Sequence, residues 1–127
     1  MANSEKQVAV IGAGVMGEAL ISALIRYGIS PSAITISEKR EERALELANL
    51  YKVSRASLSE NIAKCDMILL VVKPQDMAAV LLEIKSEIRP GCLVISFVAG
   101  KQIRGIADLI GTKANPVIRV IDRKSVV

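Results

Sequence analysis

The sequence predicts an α/β fold in which an open parallel sheet carries helices on both faces. Short apolar segments alternate with helical segments along the chain, and the connections between them are short. Hydrophobic residues make up 51% of the 127 residues, yet only three are aromatic. A core of Val, Ile, Leu and Ala is typical of buried parallel strands covered by helices. Right-handed crossovers would then place helices on both faces of the sheet.

The first half of the chain predicts three strands separated by helices. An apolar run, Val8–Ile11, ends at Gly12 and has the composition of a buried strand. The spacing of apolar residues becomes helical from Val15, and Gly28 is placed to end that helix. The next segments predict a strand, a helix and a short strand in that order: Ile34–Ser37, Glu38–Leu50 and Tyr51–Ser54.

The second half continues this alternation. Ser57 or Ser59 would cap a short helix that runs to Lys64. The segment Asp66–Val72 is apolar on both faces, which is typical of a central parallel strand. The remaining elements are predicted as a helix, a strand, a helix and a sixth strand: 75–88, Cys92–Val98, 103–110 and Pro116–Ile121.

Composition excludes several classes of function. The net charge of +4 comes from 17 basic and 13 acidic residues that are interspersed, so no basic block indicates nucleic-acid binding. The sequence has no histidine, which excludes a Ser–His hydrolase and a His-ligated metal, and we expect no metal site. Cys65 and Cys92 are expected to be buried free thiols, with a disulfide as the alternative.

The N-terminal region favours a protein of the cytoplasm. "MANSEKQ" has no signal-peptide n-region, and glycines and Glu18 interrupt the apolar stretch that follows. We therefore expect a cytoplasmic protein without a membrane segment.

Three glycines in "GAGVMG" predict a phosphate-binding turn. The motif follows the first strand and opens the first helix, as in dinucleotide-binding βαβ units. The first glycine would make the tight turn, the second would admit a pyrophosphate, and the third would let helix and strand pack closely. A turn needed only for packing is the alternative, and it leaves the second glycine unexplained. The pattern thus predicts a Rossmann-type domain whose cofactor-binding turn comprises Gly12, Ala13, Gly14, Val15, Met16 and Gly17.

The residues after the second strand predict contacts with the adenosine ribose. Glu38 could accept hydrogen bonds from the ribose hydroxyls of NAD, whereas Ser37, Lys39 and Arg40 could hold the 2′-phosphate of NADP. Two cations outnumber one carboxylate, which favours NADP over NAD. The alternative is that these charges form only the solvated start of the second helix.

A lysine follows the central strand in "LLVVKPQ". Lys73 stands where ligands bind in open α/β sheets, so it could meet the ribose or phosphates of a cofactor. A solvated lysine at the end of a strand is the alternative.

Three segments together resemble pyrroline-5-carboxylate reductase: "VAVIGAGVMGEAL", "DMILLVVKPQ" and "RPGCLVISFVAG", in that family's order and spacing. The resemblance extends from about Lys6 to Val120. It implies NAD(P)H-dependent reduction of pyrroline-5-carboxylate to proline, the last step of proline biosynthesis. It also implies cofactor contacts on the nicotinamide side from Val72, Lys73, Pro74, Ala99 and Gly100.

The sequence departs from this family at its end. Asp122 and Arg123 stand where the family usually has Pro-Asn, and Leu58 stands where an Asn is frequent. The family's C-terminal helical domain, which forms its homo-oligomer and its substrate pocket, is absent from this sequence. We therefore expect a dinucleotide-binding domain over 1–121, a tail outside the family pattern over 122–127, and little turnover by this chain alone.

Two other functions remain open at this stage. A β-hydroxyacid dehydrogenase or another imine reductase would share the glycine motif. A non-catalytic dinucleotide-binding or reductase-like regulatory protein would also fit, because no residue resembles a catalytic acid and Lys73 is assigned to cofactor positioning.

Overall fold

Six parallel strands form one sheet in the computed structural model, which describes residues 6–97 and strand residues 117–119. The spatial order of the strands is β3-β2-β1-β4-β5-β6, and every neighbouring pair is parallel. The predicted Rossmann-type sheet is therefore confirmed. The strands are β1 Val8–Ile11, β2 Ile34–Ser37, β3 Ser54–Arg55, β4 Met67–Leu70, β5 Leu93–Ser96 and β6 Val117–Arg119.

The helices cover both faces of this sheet, as predicted. Successive side chains of a strand point to opposite faces, so the central strands β1 and β4 contribute buried residues to two cores. One core joins alternate residues of β1 and β2 to Ile21 and Leu47, and the other joins β1 and β4 to Met77 and Leu81. The helices are α1 Val15–Tyr27, α2 Glu41–Tyr51, α3 Leu58–Asn61 and α4 Pro74–Ile84.

The order of the strands creates a crevice above β1 and β4. From β1 the chain runs outward through β2 and β3, then crosses back to form β4 on the other side of β1. The carboxyl ends of β1 and β4 lie side by side, since Ile11 pairs with Leu70. Ligands of open α/β sheets bind at such a reversal of strand order.

The predicted bounds of the second helix and of the third strand were wrong. The second helix begins at Glu41 rather than Glu38, because the Glu38 carboxylate accepts the Arg40 amide at 3.0 Å and holds an extended turn before the helix. The helix then continues through Tyr51 and ends at Lys52, which is left-handed with φ 63°. The third strand is consequently Ser54–Arg55 rather than Tyr51–Ser54.

Predicted boundaries in the second half were too wide. Strands β4 and β5 each have four residues, and α4 starts at Pro74 but ends at Ile84 because the chain then turns, with the Glu87 amide bonded to the Ile84 carbonyl at 2.8 Å. Ser57 is the residue that caps the short helix. The predicted helix over 103–110 and the tail over 122–127 lie outside the described residues.

Both cysteines are buried and are not joined in a disulfide, as predicted. Burial raises the pKa of each thiol to about 11. Within the described ranges no set of His, Cys, Asp and Glu side chains is grouped to hold a metal ion. None of the helices in that part of the chain has the length and apolar character needed to span a bilayer.

Candidate functional site

Gly12 turns the chain sharply over the end of the neighbouring strand. Its φ is +96°, which favours glycine, and its amide donates to the Ser37 carbonyl at 2.8 Å. A Cβ at this position would lie 2.8 Å from the Val71 carbonyl oxygen. Both the backbone conformation and the space therefore require a glycine here.

Gly17 and Gly14 differ in what surrounds them. A Cβ on Gly17 would lie 2.5 Å from the Gly12 carbonyl oxygen, so this glycine lets α1 pack directly against the turn. A Cβ on Gly14 would meet nothing within 4 Å. Packing therefore accounts for Gly12 and Gly17 but not for Gly14, whose bare backbone faces open space at the start of α1.

The N-terminus of α1 presents donors to that open space. The amides of Val15, Met16 and Gly17 lie in the first turn of α1, where a helix has no backbone acceptor for them. Gly14 is the N-cap, and it has no side chain that could accept a hydrogen bond from these amides. These amides and the positive end of the helix dipole favour an anion. The side chains of Val15 and Met16 are 87% and 51% exposed, which leaves apolar surface beside the donors.

Glu38 reaches from the end of β2 to the glycine turn. Its Oε1 accepts the Ala13 amide at 2.7 Å, and its Oε2 accepts the Arg40 amide and Nε at 3.0 and 2.9 Å. Burial opposes ionisation of this carboxyl, but the hydrogen bonds from Arg40 and Ala13 outweigh it and hold the pKa of Glu38 below its usual value. Glu38 is therefore a charged group fixed in the crevice, where it could accept ribose hydroxyls.

The other residues predicted around the adenosine ribose already have protein partners. The Ser37 hydroxyl donates to the Ala56 carbonyl at 2.9 Å and is turned toward β3. Lys39 pairs with Asp76 at 3.6 Å, and Arg40 pairs with Glu38. The four residues are brought together at the end of β2, where Arg40 is bound to Glu38 through its Nε and the Lys39 side chain is 80% exposed.

The residues predicted on the nicotinamide side lie in part at the end of β4. Lys73 is the exposed N-cap of α4, Pro74 is its first residue, and the Val72 amide approaches Gly12. The crevice thus has the glycine turn on one side and Lys73 on the other. Ala99 and Gly100 lie outside the described residues, and cofactor contacts at all these positions stay a prediction.

The sequence reasoning missed a cluster behind the glycine turn. Arg43 of α2 donates through Nε to the Ala13 carbonyl at 2.7 Å and through a terminal nitrogen to Glu18 at 2.8 Å. The Tyr51 hydroxyl donates to the other oxygen of Glu18 at 2.8 Å. These bonds, that from Tyr51 foremost, hold the pKa of Glu18 below its usual value. Among the many charges of "EKREER" no sequence signal separates Arg43 from its solvated neighbours.

The described residues fit a dinucleotide. The backbone of Gly14 leaves room for a pyrophosphate beside free amides, and Glu38 stands one strand away, where the adenosine ribose of a dinucleotide on such a sheet lies.

Comparison with known proteins agrees with this geometry. A pyrroline-5-carboxylate reductase of Corynebacterium melassecola is 33% identical over 118 residues, covering 90% of this chain and 43% of the relative. The solved pyrroline-5-carboxylate reductase of Coxiella burnetii superposes with a TM-score of 0.85 at 24% identity, over 91% of this chain and 43% of that one. The enzyme of Plasmodium falciparum, solved with NADP bound, gives 0.74 at 22% identity, over 89% and 41%.

This chain therefore spans about two fifths of the length of these relatives. The resemblance drawn from the three sequence segments is confirmed by the matching sequences. The signature of the family described as "NADP oxidoreductase coenzyme F420-dependent" matches residues 7–100, which is most of the chain. With its glycine turn, its parallel sheet and this match, the chain belongs to the NADP oxidoreductase, coenzyme F420-dependent, family.

Proposed function

We propose that this chain is the coenzyme-binding domain of a pyrroline-5-carboxylate reductase. It binds NADPH or NADH in the crevice above β1 and β4, and the complete protein reduces 1-pyrroline-5-carboxylate to L-proline. The observation that carries the proposal is the open backbone at Gly14, between two glycines that packing does require. Support for the substrate comes from the sequence relatives, which are named for this reaction.

Each part of the crevice has a role in this proposal. The amides of the first turn of α1 receive the pyrophosphate, and Ala13 keeps that turn tied to Glu38. Lys73, with Val72 and Pro74, orients the nicotinamide ribose, and Ala99 and Gly100 lie near the nicotinamide ring. The bound coenzyme supplies the hydride for the C=N bond, while protein groups orient it and exclude water.

The choice between coenzymes depends on the groups after β2. NADH would place its ribose hydroxyls on Glu38, whereas NADPH would draw Lys39 and Arg40 from Asp76 and Glu38 onto the 2′-phosphate. We favour NADPH, since two cations stand beside one fixed carboxylate and a structural neighbour was solved with NADP bound. The substrate pocket, the homo-oligomer and the cytoplasmic location belong to the proposal for the complete protein.

Two measurements test the proposal. Fluorescence titration with NADPH and with NADH should show saturable binding, and absence of binding up to millimolar coenzyme would contradict the cofactor site. An assay of pyrroline-5-carboxylate reduction should show little or no turnover by this chain, because the relatives are more than twice as long. Rapid turnover by the 127-residue chain would show that the crevice alone holds the substrate.

A further inference from the structure

The Arg43 guanidinium binds the glycine turn from the neighbouring helix α2. Its Nε donates to the Ala13 carbonyl at 2.7 Å and a terminal nitrogen donates to the Gly14 carbonyl at 3.3 Å. The same side chain pairs with Glu18 at 2.8 Å and Glu46 at 3.1 Å, and only 20% of it is exposed. It is therefore fixed by four acceptors rather than free in solvent.

The contact with the Ala13 carbonyl decides where one amide of the turn points. In a trans peptide the C=O and the following N–H lie on opposite sides of the bond. The peptide bonds of the described residues are all trans, so holding the Ala13 carbonyl on Arg43 directs the Gly14 amide away from it. The Gly14 carbonyl is shared, because it also accepts the Glu18 amide within α1 at 3.0 Å, so the helix itself sets the direction of the Val15 amide. A Cβ on Gly14 would meet nothing within 4 Å, so the backbone beside the Gly14 amide is open to a ligand.

Arg43 also neutralises a carboxylate that lies close to this anion-binding end of α1. Glu18 is in the first turn of the helix and follows directly after the amides of Val15, Met16 and Gly17. Two groups of α2 engage it, since Arg43 contacts one oxygen and the Tyr51 hydroxyl donates to the other. Without Arg43 the negative charge of Glu18 would repel a pyrophosphate bound at the same helix end.

We propose that Arg43 is a positioning residue for the coenzyme pyrophosphate. It holds the peptide of Ala13 and Gly14 so that the Gly14 amide points away from α2, and it cancels the charge of Glu18, although it touches no coenzyme itself. This inference rests on the proposed coenzyme binding and deepens it. The proposal also gives α2 a role in binding the pyrophosphate, although α2 follows the strand whose end is proposed to bind the adenosine ribose.

The test compares dissociation constants for NADH, NADPH and ADP-ribose across four variants of the full chain. Arg43→Met should weaken all three ligands by about tenfold or more and to a similar extent, because they share the pyrophosphate. Arg43→Lys keeps the charge but cannot reach both carbonyls and Glu18, so its loss should be smaller. Arg26→Gln removes the same charge at the far end of α1 and should bind as the unsubstituted chain does.

The double variant Glu18→Gln/Arg43→Met separates positioning and charge from a general loss of structure. Removing the unpaired carboxylate should restore part of the affinity that Arg43→Met loses, which a purely structural role for Arg43 would not allow. Thermal melting checks that each variant is folded, and Arg43→Lys serves if Arg43→Met is not. Binding of undiminished affinity by folded Arg43→Met would overturn the inference. If Arg43→Met does not fold, undiminished affinity of Arg43→Lys would overturn it. The absence of any recovery of affinity in the double variant would overturn it as well. Failure of the unsubstituted chain to bind any of the ligands would instead overturn the proposed function.

Discussion

Substituting Gly14 and Gly17 separately should uncouple coenzyme binding from stability. Gly14→Ala adds a methyl group that meets nothing within 4 Å, on a residue whose φ of −78° alanine adopts freely. Alanine loses less backbone entropy than glycine on folding, which raises the free energy of unfolding by about 0.4–1 kcal/mol. Alanine is also a poorer N-cap than glycine, which lowers the free energy of unfolding by about a similar amount. The free energy of unfolding should therefore change by less than about 0.5 kcal/mol, because the two effects oppose each other.

Gly17→Ala should show the opposite behaviour. Its Cβ would lie 2.5 Å from the Gly12 carbonyl oxygen, which is backbone and can move only with the turn itself. Forcing a methyl group into such a contact costs about 1–3 kcal/mol. For a chain of this size the melting temperature should fall by roughly 4–12 °C.

Thermal melting and coenzyme titration of the two variants provide the assay. Gly14→Ala should melt close to the unsubstituted chain yet bind NADPH at least about tenfold more weakly, since the methyl occupies the space through which a pyrophosphate approaches. Gly17→Ala should be recognised by its lower melting temperature. If Gly14→Ala binds NADPH with unchanged affinity, or if it unfolds as readily as Gly17→Ala, the assignment of the open space is refuted.

Two further predictions concern charge and thiol chemistry. Folding lowers the pKa of Glu38, so its charged form stabilises the fold above the unfolded pKa near 4.5. The stability advantage of the unsubstituted chain over Glu38→Gln should shrink as the pH falls through the lowered pKa of the folded state. Urea unfolding at pH 7 and pH 3 measures this advantage, and a larger advantage at pH 3 would contradict the prediction. Cys65 and Cys92 have pKa values of about 11, so about one part in a thousand of each should be thiolate at pH 8. A disulfide reagent should therefore modify them only in denaturant. Rapid modification of the native chain would show that they are not buried.

The sequence predicted the fold well because its signals are local. The alternation of apolar strands with helices, the glycines and the positive φ of Gly28 each follow from short-range patterns. The boundaries around Glu38 and Tyr51 were missed because tertiary contacts set them. Glu38 leaves the helix to bind Ala13, and Tyr51 stays in it to reach Glu18.

Residues of the candidate site could be predicted from the sequence only where a local motif explains the residue type. Gly14 could be singled out because no packing argument needs it. Arg43 could not, because its role depends on α2 lying across the turn at residues 13 and 14, a distance of about 30 residues in sequence. The partner of Lys39 was equally hidden, since Asp76 of α4 meets the end of β2 only in the folded sheet, whereas Glu38 is only two residues from Arg40.

The hydrogen bond from the Ala13 amide to Glu38 has a practical consequence for redesigning coenzyme preference. Because a carboxylate after the second strand suits NAD and a cation there suits NADP, an obvious redesign would exchange Glu38 for a small or basic residue. In this chain that exchange also removes the acceptor of an amide inside the phosphate-binding turn. Substitutions at position 38 will thus alter affinity for both coenzymes as well as the ratio between them, and a successful redesign must supply a new acceptor for residue 13.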